Sequence, residues 1–364
     1  MSQTQIPYVF MRGGTSRGPY FHRADLPENK SDLANVLISV IGAGHALNID
    51  GIGGGNPVTT KVAILSKSSD AWADIDYLFA QVSVEERSVD FKPTCGNILS
   101  GVAAAAIEMG LYTAQKGQTK IKIRSVNTEA RISSVIMTDG KNVIYNGDTE
   151  IDGVPGTASP VTLNFKDVAG SSTGTFLPTG CAKDEIDGIS VTCMDVAMPM
   201  VIARADSFGL TGYETSEALD SNKVFFKRME ALRLKAGLLM GMGNVQMSVT
   251  PKFGLIAPAI NGGTVATRYF MPWSTHPTMA VTGSQCIASC LLTPGSIAED
   301  MIKVPKNGPL TVTLEHPMGS MEVIIDYSIK DGKFYHSSAG IIRSCRKLAK
   351  GNVFVPADVW RKCT

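Results

Sequence analysis

Two segments of this 364-residue chain are small or apolar on nearly every face of a helix, Gly96–Met109 (GNILSGVAAAAIEM) and Gly283–Leu292 (GSQCIASCLL). A helix without a polar stripe has to be buried on all sides. The remaining sequence supplies what would cover it, in short β-branched runs bounded by Gly, Pro, Asn or Asp, such as Tyr8–Met11, Val62–Leu65, Ala80–Val84, Lys120–Arg124, Ser190–Val196, Thr264–Phe270 and Met321–Asp326. The expected fold is α+β, with each half of the chain wrapping a curved sheet around one central helix. The helices also start alike, Cys95-Gly96-Asn97 and Thr282-Gly283-Ser284, a weak internal repeat of domain length. Charge and glycine interrupt the strands at Cys181–Ile189 (CAKDEIDGI), which divides the chain into domains 1–185 and 186–364. Two further helices are amphipathic: Lys30–Ile41, with Leu33, Val36, Leu37, Val40 and Ile41 on one face and Ser31 as its cap, and Asn222–Met240, which carries alternating basic residues.

Charge excludes several partners. With 34 Lys+Arg against 33 Asp+Glu the chain has a net charge of +1, too little for a protein that displaces counterions from nucleic acid or a membrane surface. The seven cysteines form no CxxC pair and no zinc spacing, and the first residues show no signal-peptide pattern. The longest apolar run, Val102–Ile107, is far short of the roughly 20 residues a membrane helix needs. A cytoplasmic protein without a metal is expected.

Glycine, at 36 residues, clusters at RGGTSRG (12–18), GIGGG (51–55) and the two central helix starts. No Walker loop fits, because Pro19 follows Gly18, and the dinucleotide fingerprint fails at Asn56. Helix starts explain more. Their free N–H groups and partial positive charge hold carboxylates without help from net charge, so two of them facing a shared cleft suit a small ligand with several carboxylates. Cys95 stands at one such start, a setting that favours the reactive thiolate form. Lys61 follows the glycine loop where an apolar strand begins, and partial desolvation there favours a neutral amine. Arg12, Arg17 and Arg268 are candidate carboxylate clamps, and His276 and His316 each precede a proline near glycine. Cys286 and Cys290 read as packing residues, and no GxSxG elbow supports a hydrolase.

As a set, MRGGTSRG, IDGIGGGNPVTTKVAIL, the CGN helix start, IDGVPGTASPV, YFMPWSTHPTMAVTGS and EHPMG resemble, in this order, the 2-methylaconitate isomerase (PrpF-type) family, from about Ile6 to about Pro356. That family includes 4-oxalomesaconate tautomerases, 3-methylitaconate isomerases and aconitate Δ-isomerases. The resemblance implies a diaminopimelate-epimerase-like fold of two mostly antiparallel halves, with the last strand returning to the N-terminal half and the active site between the domains. Epimerases of that fold begin both central helices with cysteine; here the positions are Cys95 and Thr282, which disfavours two-thiol racemisation. The resemblance implies Lys61 and Cys95 as the acid/base pair. It implies that Thr15, Ser16, Gly53, Gly54, Gly55, Asn56, Gly96, Asn97, Gly283, Ser284 and His316 line carboxylate sites. Met318 stands where many relatives carry serine.

The reaction so implied is a cofactor-independent 1,3-allylic proton shift that moves a C=C bond within an unsaturated di- or tricarboxylate, in a homodimer or homotetramer. A 4-oxalomesaconate ranks first as substrate, then 2-methylaconitate or aconitate, then methylitaconate. A carboxylate-binding protein without turnover is the competing expectation.

Overall fold

The computed structural model describes residues 3–92 and 94–361, so Cys363 lies outside the described residues. The chain forms two compact units, Met1–Asn164 with Ile342–Thr364, and Phe165–Ile341. Strands β1 (Gln3–Gly13), β2 (Ser16–His22), β3 (Lys61–Lys67), β4 (Ile75–Val82), β5 (Val89–Asp90), β6 (Lys116–Ser125), β7 (Arg131–Asp139) and β8 (Pro160–Lys166) come first in the chain. They are followed by β9 (Asp184–Ile186), β10 (Ile189–Asp195), β11 (Pro199–Arg204), β12 (Lys252–Pro258), β13 (Val265–Phe270), β14 (Leu310–His316), β15 (Gly319–Lys330) and β16 (Lys333–Pro356). In the first unit β1, β2, β3, β4, β6 and β7 are successive neighbours, and β1 pairs on its other side with the end of β16, from Gln3↔Pro356 to Gly13↔Cys345. The second unit runs from the start of β16 through β15, β14, β13, β12, β11 and β10 to β9. The β2–β3, β4–β6, β11–β12 and β13–β14 pairs are parallel, and the other assigned pairs within each unit are antiparallel.

The helices are α1 (Lys30–Ile41), α2 (Gly96–Leu99), α3 (Val102–Glu108), α4 (Ser216–Ser221), α5 (Lys223–Leu239) and α6 (Val281–Leu292). The two all-apolar segments are the central helices. α2 and α3 pack on β1, β2, β3 and β7, while α6 packs on β10, β11, β12, β14 and β15. Every residue of α6 from Gly283 onward is buried. Each unit also carries a helix on the outer face of its sheet: α1 over Val62, Ile64, Ala80 and Val82, and α5 over Val191, Val201, Phe253 and Leu255. β3 is thus covered on both faces, which is why it reads as an unbroken apolar run.

Three local details depart from the sequence reading. The first central helix is broken at Ser100-Gly101, because the Ile98 carbonyl accepts from the Tyr20 hydroxyl at 2.5 Å and from Gly101 N at 3.0 Å instead of continuing the α pattern. A Cβ at Gly101 would lie 2.4 Å from that hydroxyl. α1 is capped by Asn29, whose Oδ1 accepts from Ser31 N at 2.7 Å and Asp32 N at 3.2 Å, so Ser31 is not the cap. α6 begins at Val281 with Ala280 as N-cap, which puts Thr282 inside the first turn. The segment Cys181–Ile189, where charge interrupts the strands, folds as a tight hairpin: Asp187 (φ 54°) and Gly188 (φ 73°) turn β9 into β10 inside the second unit.

Candidate active site

The first unit gathers Lys61 and Cys95 through one face of β4. Side chains alternate across a strand, so Tyr77, Phe79 and Gln81 share a face, while Ala80 and Val82 face α1. Lys61 is paired with Gln81 in the β3–β4 ladder, and its Nζ donates to Gln81 Oε1 at 2.6 Å while lying 5.3 Å from the centre of the Phe79 ring. Tyr77 is fully buried and donates to the Cys95 carbonyl at 3.4 Å. Cys95 is the N-cap of α2, with extended backbone (φ −138°, ψ 109°) and a partly exposed thiol. Tyr20 holds the same turn from below through Ile98, and burial raises the phenol pKa of both tyrosines well above its ordinary value, so they are constant donors. Apolar alternation could have pointed to Tyr77 and Phe79, but nothing local marks Gln81.

Around this face stand the glycine loops. Asn97 clamps the RGGTSRG turn: its Nδ2 donates to Thr15 Oγ1 at 3.0 Å and its Oδ1 accepts from Thr15 N at 3.3 Å. Gly14, at φ +52°, passes so close that a Cβ there would lie 2.1 Å from Asn97 Oδ1. Ser16 is buried, and its hydroxyl has no hydrogen-bond partner among the described residues. Gly153, from IDGVPG, also approaches Thr15, at 3.4 Å from its methyl for an added Cβ. The Gly53–Asn56 loop winds around Asn48, a buried residue that the sequence did not single out. Its Oδ1 accepts from Gly55 N at 2.8 Å, and its Nδ2 faces the carbonyls of Gly42, His45 and Val84. Asn56 caps the following turn by accepting from Val58 N.

The arginines divide. Arg12 spends its guanidinium on Gly14 O, Ser344 O and Ser344 Oγ, tying the turn to β16, whereas the exposed Arg17 lies along Gly54.

Gly18 sets the spacing between β2 and the candidate lysine, since an added Cβ would fall 1.7 Å from the Lys61 carbonyl oxygen. Gly18→Ala is expected to cost about 1–3 kcal/mol or more, because backbone rather than a flexible side chain has to yield. The activity proposed below should drop with it. Wild-type stability in urea together with wild-type turnover would refute this packing.

In the second unit Gly283 lies against Tyr269, whose ring an added Cβ would meet at 2.5 Å, and His276 packs edge-on against the same ring at 5.7 Å. Burial lowers the His276 pKa, and its Nδ1 accepts from Thr278 N at 3.0 Å. Thr282, Gly283 and Ser284 form the first turn of α6, with Ser284 Oγ turned back to the Val281 carbonyl. Gln285 is fully buried, and neither of its amide atoms has a partner among the described residues; the sequence reading passed over it. His316, at the end of β14, accepts from Met318 N at 3.3 Å. Arg268 donates to the carbonyls of Glu214 at 2.6 Å and Thr267 at 2.7 Å, which anchors the 211–214 turn. Cys286 and Cys290 are buried as packing residues, and burial pushes the Cys290 thiol up to about 12. Among the described residues no three His, Cys, Asp or Glu side chains are grouped to hold a metal, and no helix is long and apolar enough to cross a membrane.

A mostly antiparallel sheet around a buried helix is also the frame of a solved double-bond isomerase. That structure, of a methylitaconate delta-isomerase, matches this fold with a TM-score of 0.90 and 30% identity over 100% of this chain and 98% of that one. The chain belongs to the PrpF protein family, whose sequence profile matches residues 3–356. It is 42% identical to the 4-oxalomesaconate tautomerase of Pseudomonas putida, over 99% of both chains. It is also 42% identical to the (4E)-oxalomesaconate Delta-isomerase of Novosphingobium sp., over 96% of this chain and 97% of that one.

Proposed function

We propose that this protein is an isomerase that moves a C=C bond by a 1,3-allylic proton shift within an unsaturated polycarboxylate, with 4-oxalomesaconate as its first candidate substrate. The observation that carries this reading is the β4 face, on which Tyr77 meets the Cys95 turn and Phe79 and Gln81 hold the Lys61 amine. Such a pair offers two proton-transfer groups of different kinds. Removing a proton from carbon conjugated with a carboxylate builds a dienolate, whose developing charge pre-aimed N–H groups and cations stabilise without reorganising. One of Lys61 and Cys95 takes the proton at one end of the allyl unit, and the other returns a proton at the far end. In this reading the amides of Gly96 and Asn97, at the start of α2, are the donors, and the Asn97–Thr15 hydrogen bonds tie the Thr15–Ser16 turn to that helix start. The names of the relatives support the choice of substrate, with 2-methylaconitate or aconitate next and methylitaconate after them. The free thiols fit a reducing cytoplasm, and a homodimer or homotetramer is the proposed assembly.

The test is proton NMR in deuterated water with cis-aconitate, trans-aconitate, methylaconitate, itaconate, methylitaconate and 4-oxalomesaconate. Deuterium should enter the allylic position of one of them and the double bond should move. Saturable binding of 4-oxalomesaconate with no exchange into any member of the panel would favour the carboxylate-binding alternative.

A further inference from the structure

We infer that Gln81 is the positioning residue of this site, fixing the direction in which the Lys61 amine presents its proton or lone pair. The inference rests on the reading of Lys61 as a proton-transfer group and adds a residue to it.

The orientation of the Gln81 amide is settled by its surroundings. Its Nε2 faces Pro57 O, Thr60 Oγ1 and Val82 O, each at 3.2 Å. Two of these are carbonyls and can only accept. The third is a hydroxyl whose proton is already donated to Val82 O at 2.7 Å, so Thr60 Oγ1 also accepts. Thr60 is fully buried, so its hydroxyl is held in the accepting role by the protein around it. Reversing the amide would aim Oε1 at three acceptors, so Oε1 has to face Lys61.

Lys61 Nζ therefore always meets an acceptor, at 2.6 Å, and never a donor. One N–H is pinned there whether the group is amine or ammonium. The Phe79 ring, 5.3 Å from Nζ, closes a second direction. What remains for substrate is the outward direction, which holds the lone pair of the amine or the transferable proton of the ammonium. Lysine on its own is a flexible four-carbon stem. Cross-strand pairing with Gln81 and the diagonal contact with the Phe79 ring remove that freedom before substrate arrives.

Two variants test this, with the panel member that the wild-type protein turns over fastest. Gln81→Leu should lower kcat by roughly 10–100-fold and leave KM within about threefold, the size expected when a reacting group is misplaced by about 1 Å. Gln81→Glu keeps the shape and the acceptor but adds a charge that favours the ammonium. Whether Lys61 serves as acid or base, the part of the pH profile that belongs to it should lie at higher pH in the variant than in the wild-type protein. A purely structural role would lower stability and the active fraction in both variants and leave the pH profile in place. That result, or wild-type kcat in Gln81→Leu, would overturn the inference while Lys61→Ala stayed inactive. Full activity in Lys61→Ala, or no turnover of any panel member by the wild-type protein, would instead overturn the underlying reading and the inference with it.

Discussion

Lys61→Ala should lose allylic deuterium exchange by about 10²–10⁴-fold, the contribution of one positioned acid or base, and should do so in a folded protein. The second half of that expectation follows from β3. The residues that bury apolar surface under α1 are Val62 and Ile64, on the face opposite Lys61, and they are untouched. What the substitution removes is one hydrogen bond to Gln81, leaving an amide oxygen that solvent can reach at the partly exposed strand end, a cost of about 1–2 kcal/mol. Cys95→Ala should have a comparable effect on exchange with a still smaller cost, since the contact from Tyr77 goes to the Cys95 carbonyl and survives. The two losses should not add in the double variant, because the proton cannot complete its shift once either group is missing. Measurement is by NMR exchange beside urea unfolding. Near wild-type exchange in both single variants would remove Lys61 and Cys95 from the mechanism and leave the fold unaffected.

Arg233→Ala should be the most damaging substitution away from the site, at about 3–5 kcal/mol, the usual cost of removing one partner of a buried ionic group. The Arg233 side chain is completely buried in α5. Its Nε and Nη2 grip Glu230 at 2.7 and 2.8 Å, and its other contacts reach the carbonyls of Val245, Ser248 and Pro251. One guanidinium thus organises the irregular stretch between α5 and β12. Without it three backbone carbonyls lose their donor, a charged Glu230 loses its partner, and a cavity remains. Arg233→Met should recover little, because it restores volume without restoring donors. Urea unfolding of the two variants is the measurement, and a loss below about 1 kcal/mol in Arg233→Ala would contradict the account.

Much of the architecture was legible locally. The all-apolar helices announced their burial, and α1 and α5 appear within a residue of the expected limits because their apolar period is clear. The glycines of RGGTSRG and GIGGG were recognisable as important, but their reason was not. They make room for Asn97 Oδ1, the Lys61 carbonyl and the Asn48 side chain, partners up to 83 residues away along the chain for Gly14 and Asn97. Arginines were the least legible residues. Arg12 and Arg268 looked like carboxylate clamps, and nothing in the sequence showed that they also hold backbone carbonyls of Gly14, Ser344, Glu214 and Thr267, while Arg233 gave no local sign of burial among the basic residues of its helix. A guanidinium has five donors and a long stem, so its task depends on which acceptors tertiary packing brings within reach.

By itself the sequence determined the class of fold, the burial of the central helices and the residue types able to move a proton, because these depend on periodicity and side-chain chemistry. Tertiary structure alone decided how those residues are served. Strand register put Gln81 and Phe79 beside Lys61, and a turn held by Tyr77 and Tyr20 put Cys95 at the end of a broken helix. A shift of one residue in β4 would turn Tyr77, Phe79 and Gln81 to the α1 side, with no change in composition or local pattern strength. Pairing across strands is a long-range choice, and the site depends on it.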